Sequence, residues 1–269
     1  MGTILVNGAL VAGAIVTITP LIWMLSASLM QPGEAAGFPP PFLPEAPTIE
    51  HYRALFTRLA IGRYALNSAL IALLITAISL LFNSMAGYAF AKLEFRARDR
   101  LFTVLLAGLV IPVQIAMPPL FLLMRELGLV NTYWGVIAPT MATIFGIFLV
   151  RQYALSIPDE LLEAARMDGA GEARIFFQVV LPLIRPILVT LAIFTFMTAW
   201  NDFMWPLIIL TDQDLHTLPV ALANLSGEHV QDIELMMAGS VLTTLPVLVL
   251  FLVAQRYYIE GITAGSLKD

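Results

Sequence analysis

Few residues in this sequence are placed to do chemistry, and their types point to binding rather than covalent catalysis. One acid, Asp202, lies inside a predicted span away from its ends. A carboxylate at the bilayer centre costs about 2.5–3.5 kcal/mol on insertion scales, so it reads by default as functional. Counted from Pro186 at ~1.5 Å per residue, it sits about 24 Å along its helix, nearer one face than the midplane. Asn201 beside it and Trp200 and Trp205 around it suit a sugar, because amides and acids bond hydroxyls while indoles stack on C–H faces. The alternative is an interfacial collar with the tryptophans as its aromatic belt. Gln114, with Pro112, Pro118 and Pro119 around it, is a second polar candidate within an apolar run. A proline inside a helix frees carbonyls that can line a cavity, although packing kinks explain the same prolines.

The remaining polar residues exclude more than they assign. His51, His216 and His229 share no metal-ligand spacing and are expected on solvated external loops. Asp212, Asp214, Glu228, Asp232 and Glu234 read as one solvated acidic face for partner recognition. Cysteine is absent, which removes disulfides and thiolate metal sites. No cluster of Ser, His and Asp occurs at membrane depth, and no GxxxxGK[ST] phosphate loop occurs anywhere. The chain is therefore expected to be no enzyme and to hold no cofactor; ATP, if used, is bound by another polypeptide.

The elements that position these residues follow from composition. The 269 residues are 59% hydrophobic and 12% charged, with a mean hydropathy of +0.86. Soluble domains carry about 25% charged residues, so hydrocarbon must be the solvent for much of this chain. Apolar runs predict spans at about 4–25, 64–91, 101–124, 132–152, 186–210 and 236–257. With the N-terminus inside, the inner segments hold ten Lys and Arg (Lys92, Arg96, Arg98, Arg100, Arg151, Arg166, Arg174, Arg185, Arg256, Lys268). The outer ones hold four (Arg53, Arg58, Arg63, Arg125). The positive-inside rule then puts both termini, and the loop 153–185, in the cytoplasm. The net charge of −5, without a basic run, gives no sign of nucleic acid.

That loop is more than a connection. Ser156-Ile157-Pro158-Asp159 reads as a capping box for a helix over 157–168, with Gly169 as its left-handed terminus. Leu161, Leu162, Ala165 and Met167 give the helix apolar surface, and Ala164 and Ala165 keep one face thin. A second helix is expected near 171–181, stopped by Pro182 and Pro186. Read on this pattern alone, the loop is either a docking lever or an interfacial helix pair that binds nothing.

The spacing Glu163-Ala164-Ala165, three residues, Gly169, nine residues, Val179, one residue, Leu181-Pro182 resembles the cytoplasmic EAA loop of ABC-importer permeases. The segments 20–29, 67–98, 111–121, 128–139, AWNDFMWPLIIL (199–210) and YYIEGITAGSLKD (257–269) resemble carbohydrate-importer permeases of the maltose and glycerol-phosphate type. The resemblance spans essentially the whole chain. It implies an all-α polytopic membrane protein, a single type I (MetI-like) transmembrane domain of six helices over 1–269. It also implies a bacterial or archaeal cell-membrane location, in contact with lipid, and a sugar or sugar-like solute. The partners it implies are a second permease forming a heterodimer, two ATPase subunits and an extracytoplasmic solute-binding protein. By the same analogy Glu163, Ala164, Ala165, Asp168 and Gly169 dock in the ATPase, and the 211–235 loop reaches toward the binding protein. Relatives also carry a short basic tail ahead of the first span, so the sequence is expected to begin slightly late. The rival from another class is a stand-alone secondary carrier or channel, which calls for intramembrane charge relays that a lone Asp202 does not supply.

Overall fold

A computed structural model of the chain describes residues 2–228 and 232–266, with side-chain surroundings over 5–225 and 232–254. His229 and the side chain of Glu228 fall outside these ranges. Among the described residues every regular element is helical. In chain order these are α1 (Gly2–Ala27), α2 (Glu50–Thr57), α3 (Ile61–Lys92), α4 (Arg98–Ala107), α5 (Val113–Glu126), α6 (Tyr133–Ile137) and α7 (Ile144–Ala154). There follow α8 (Asp159–Met167), α9 (Glu172–Ile175), α10 (Leu181–Leu183), α11 (Arg185–Asn201), α12 (Met204–Ile209), α13 (Leu218–Glu228) and α14 (Ile233–Ser266).

Among the described residues, three helices are long and apolar enough to cross a membrane unbroken: Leu5–Ala27 in α1, α3, and Ile233–Ala254 in α14. Three bent pairs bring the number to six when each is one span: 98–110 with 113–126 (106°), 133–140 with 144–154 (41°), and 172–183 with 185–201 (80°). The first bend falls at Ile111–Pro112, where Pro112 is extended and has no N–H to give. Pro118 and Pro119 lie within α5 and do not end it.

The chain folds as two compact units, one of residues up to 66 with 217–249, the other of 67–216 with those from 250 on. In the first, α1 is exposed along Leu5, Val6, Leu10, Val11, Ile15 and Val16, a surface stable only against hydrocarbon. The segment after α1 turns back on polar ties: Ser26 Oγ donates to the Phe42 carbonyl (2.6 Å) and Trp23 Nε1 to that of Pro41 (3.2 Å). This folding corrects two expectations. His51 is buried rather than solvated, its Nε2 2.9 Å from the Met30 carbonyl and its Nδ1 3.8 Å from Asp232. Glu234 leaves the acidic face and is buried, accepting from the Ala35 N–H at 2.7 Å.

Two cores are found in the second unit among the described residues. One joins Ile71, Ile75, Met124, Val136, Ile137, Trp205, Ile209 and Leu210. The other joins Tyr88, Ala91, Val150, Ala154 and Leu191 to the loop residues Ile157, Leu162, Ile175, Phe176, Val180 and Ile184. Buried amides tie the first core together. Asn67 Nδ2 donates to the carbonyls of Asp214 and His216, each at 2.9 Å, and its Oδ1 accepts from the Tyr133 hydroxyl. His216 is thus buried here too, against expectation. Asn83 accepts from the Thr143 N–H at 2.9 Å and donates to Ser79, supplying partners where α6 and α7 are interrupted. Gly87 lets α3 close on α7: a Cβ there would meet Val150 Cγ1 at 2.6 Å. Gly87→Ala is therefore expected to cost about 1–3 kcal/mol, the usual range for overpacking. Gly8→Ala, inside α1 and with nothing within 4 Å of the added methyl, causes no such loss and is neutral or stabilising by up to about 1 kcal/mol; thermal denaturation of both variants in detergent checks the contrast.

Candidate functional site

The loop between α7 and α11 is a folded object with a buried side and an open side. Ser156 does not start α8, as the capping-box pattern had it; its Oγ donates back to the Tyr153 carbonyl at 2.7 Å and closes α7. Pro158, extended, takes the N-cap place instead and offers no side-chain hydrogen bond. Asp159 and Glu160 in the first turn and Arg166 in the last suit the helix dipole. At the far end Ala170 N bonds the Ala165 carbonyl and Gly169 N that of Arg166, both at 3.0 Å, with Gly169 at φ +82°. This is a Schellman closure, and the left-handed residue expected at 169 is present. After α9 the helix widens into a π-turn over Phe176–Val180. Pro182 explains it: with no N–H and a bulky ring, it cannot continue the normal ladder to Gln178.

The buried side of the loop is Leu162, Ile175, Phe176 and Val180, all at most 4% exposed. Burial of each such side chain contributes about 1.5–3 kcal/mol, so the seat is firm. The Phe176 ring lies 5.7 Å from that of Tyr88. On the open side Glu163, Ala164, Asp168 and Gly169 are exposed and Ala165 is half-buried. Met167 is 84% exposed and Leu161 46%. Of the apolar residues expected to pack this helix, only Leu162 is fully buried. The five residues singled out by the EAA spacing thus lie together, on a helix whose outer surface mixes carboxylate, methyl and thioether groups.

Polar ties that the sequence reading did not single out fix both arms. Lys92 Nζ donates to the Ile157 carbonyl and the Asp159 carboxylate. Tyr88 Oη and Arg166 Nε donate to the two oxygens of Glu172. The hydrogen bond from Arg166 to Glu172 raises the guanidinium's pKa further above its ordinary value, keeping it charged. The only signal for these anchors in the sequence is the four-residue spacing of Tyr88 and Lys92 at the polar end of a span.

The pathway candidates are placed differently. Asp202 and Phe203 interrupt the run 186–210, separating α11 from α12. Asp202 is half-buried and accepts weakly from the Trp205 N–H at 3.5 Å, an α12 start signal. Asn201 is exposed and donates to the Met197 carbonyl. Neither indole is open: Trp200 stacks on Phe196 at 5.9 Å, and Trp205 donates from Nε1 to the Gly135 carbonyl at 3.0 Å. Gln114 is exposed near the start of α5.

Known proteins are similar to this chain over most of its length. Residues 83–262 match the profile of the binding-protein-dependent transport system inner membrane component family. The chain is 40% identical to an arabinooligosaccharides transport system permease protein of Halalkalibacterium halodurans, over 95% of this chain and 92% of that one. It is 35% identical to a diacetylchitobiose uptake system permease protein of Streptomyces coelicolor, over 97% and 88%. Among solved structures it is similar to a bacterial ABC transporter involved in the import of the acidic polysaccharide alginate. That likeness has a TM-score of 0.83 and 26% identity, covering 94% of this chain and 95% of the other.

The Schellman closure makes a local prediction. Gly169→Val forces a β-branched residue to φ +82° and should cost about 1–2 kcal/mol, raising amide exchange across 159–170. Gly171→Val, at φ −72° with open space around it, should leave exchange unchanged.

Proposed function

Since the chain belongs to the family of binding-protein-dependent transport system inner membrane components, we propose that it forms half of a solute pathway driven through α8 by a separate ATPase. The chain is a transport component, a multi-pass cell-membrane permease of the ABC-importer kind. Its solute is a sugar or a sugar-like molecule, oligosaccharide or phosphorylated polyol, in keeping with the saccharide systems for which its relatives are named. The full assembly is this subunit with a second, different permease, two ATPase copies and an extracytoplasmic solute-binding protein, in a bacterial or archaeal cell membrane. Both termini and the loop 153–185 face the cytoplasm, by the ten-to-four excess of Lys and Arg on that side. The domain is a single six-span unit over 1–269. It has no ATP site of its own and needs no cofactor.

One observation carries the reading: the exposed face of α8, with Glu163, Ala164, Met167 and Asp168, on a loop whose other face is buried in the core. Small residues let a second backbone approach, Glu163 supplies a charge-assisted hydrogen bond, and Met167 supplies an adaptable apolar contact. An interfacial helix would hide its apolar residues in lipid and turn its charges outward. Here exposed Met167 lies one turn from exposed Glu163 on the same side of the helix, a mixture suited to a protein groove. Nucleotide can drive the pathway only by binding one of two packings more tightly, and a stiff docked helix passes that preference on. Gln114, Asn201 and Asp202 contribute polar groups to the pathway; Trp200 is buried against Phe196.

Glu163→Lys or Gly169→Asp is expected to leave membrane insertion intact and to reduce ATPase co-purification and uptake by on the order of tenfold or more. Normal uptake with normal ATPase recovery in either variant contradicts the assignment.

A further inference from the structure

Tyr88 and Lys92 lie one turn apart on the last stretch of α3, on the same face. Lys92 has a side chain only 5% exposed, and its ammonium reaches the Ile157 carbonyl and Asp159 Oδ1, each at 2.6 Å. That fixes the arm entering α8. Tyr88 Oη donates at 2.7 Å to Glu172, 84 residues away in sequence, and Arg166 from the last turn of α8 donates to the other carboxylate oxygen at 2.8 Å. That fixes the arm leaving it. The tyrosine ring is itself held against Phe176. The Asp159 carboxylate is itself 73% exposed, so the buried Lys92 stem and its bond to the Ile157 carbonyl hold this arm more than the ion pair does.

We propose that Tyr88 and Lys92 are positioning residues that make the loop and the end of α3 one rigid body. Force received at α8 then reaches α3 directly, besides the helices that adjoin the loop in sequence. The proposal rests on the docking role of α8. It goes beyond that role by naming α3 as the receiving element and by requiring that the clamp stay shut throughout the cycle. Two packed arrangements of a rigid element can couple distant sites, whereas a slack connection dissipates the preference.

The absence of cysteine from the chain permits a direct test in the assembled transporter with its ATPase. In Lys92→Cys combined with Asp159→Cys, the tie on the arm entering α8 is removed, leaving that of Tyr88 to Glu172, and it can be restored by a short bismaleimide. Uptake per ATP hydrolysed should fall about fivefold without the linker, a usual size for a coupling effect, and return toward the wild-type ratio with it. Wild-type coupling in the unlinked variant overturns the proposal. So does a linker that blocks uptake, since the loop must then leave α3 during transport. Should the double variant not assemble, Tyr88→Phe, which keeps the ring and removes only the hydroxyl, carries the test. Its uptake per ATP should fall while ATPase recovery is unchanged; an unaltered ratio overturns the clamp. If the wild-type chain itself recovers no ATPase, the docking role fails instead, and the two failures are told apart.

Discussion

Leu162, Ile175, Phe176 and Val180 set a polar loop on the ends of apolar helices, and the transport account depends on that seat being stiff. A loop without a core would cost about 1–2 kcal/mol per residue to hold in one backbone geometry. Here the apolar contacts of the seat offset that cost locally, and the Schellman turn at Gly169 satisfies the carbonyls that the end of α8 leaves free. Because the buried side is satisfied within the chain, the residues left on the open side are those free to meet another protein.

The same constraint, that hydrocarbon offers no hydrogen bonds, explains how the interrupted spans survive. Thr132 and Thr143 accept from the N–H groups of Gly135 and Gly146, capping the segments that begin after them. Asn83 reaches across to the backbone at that same Thr143 break, and Asn67 to the carbonyls of Asp214 and His216. Arg151 closes the end of α7 by donating to the Phe90 carbonyl, with its guanidinium 4.0 Å over the Phe102 ring. Close approach of backbones then does the rest, as Gly87 against Val150 illustrates.

Much of this was legible in the residues. Charge-free runs marked the apolar helices, because no soluble fold tolerates them, and Gly169 marked a left-handed helix end because only glycine takes that conformation freely. The spacing around Glu163 marked the loop as more than a connection. The misses have a common physical cause. Ser156, His51, His216 and Glu234 were read from local pattern, yet their partners lie on other turns or segments: Tyr153, Met30, the Asn67 amide and Ala35. Tyr88, Lys92 and Glu172 were silent for the same reason, since a contact 84 residues apart leaves no periodicity to read. The break at Asp202 was hidden by an apolar run that looks continuous in composition alone.

The most direct test of the central claim uses Met167, 84% exposed on α8, in a chain with no native cysteine. Met167→Cys is labelled with a membrane-impermeant maleimide in vesicles of known sidedness, with and without the cognate ATPase. Labelling from the cytoplasmic side only, strongly reduced once the ATPase is bound, is the predicted result. Labelling from the external side, or labelling that the ATPase does not alter, contradicts it.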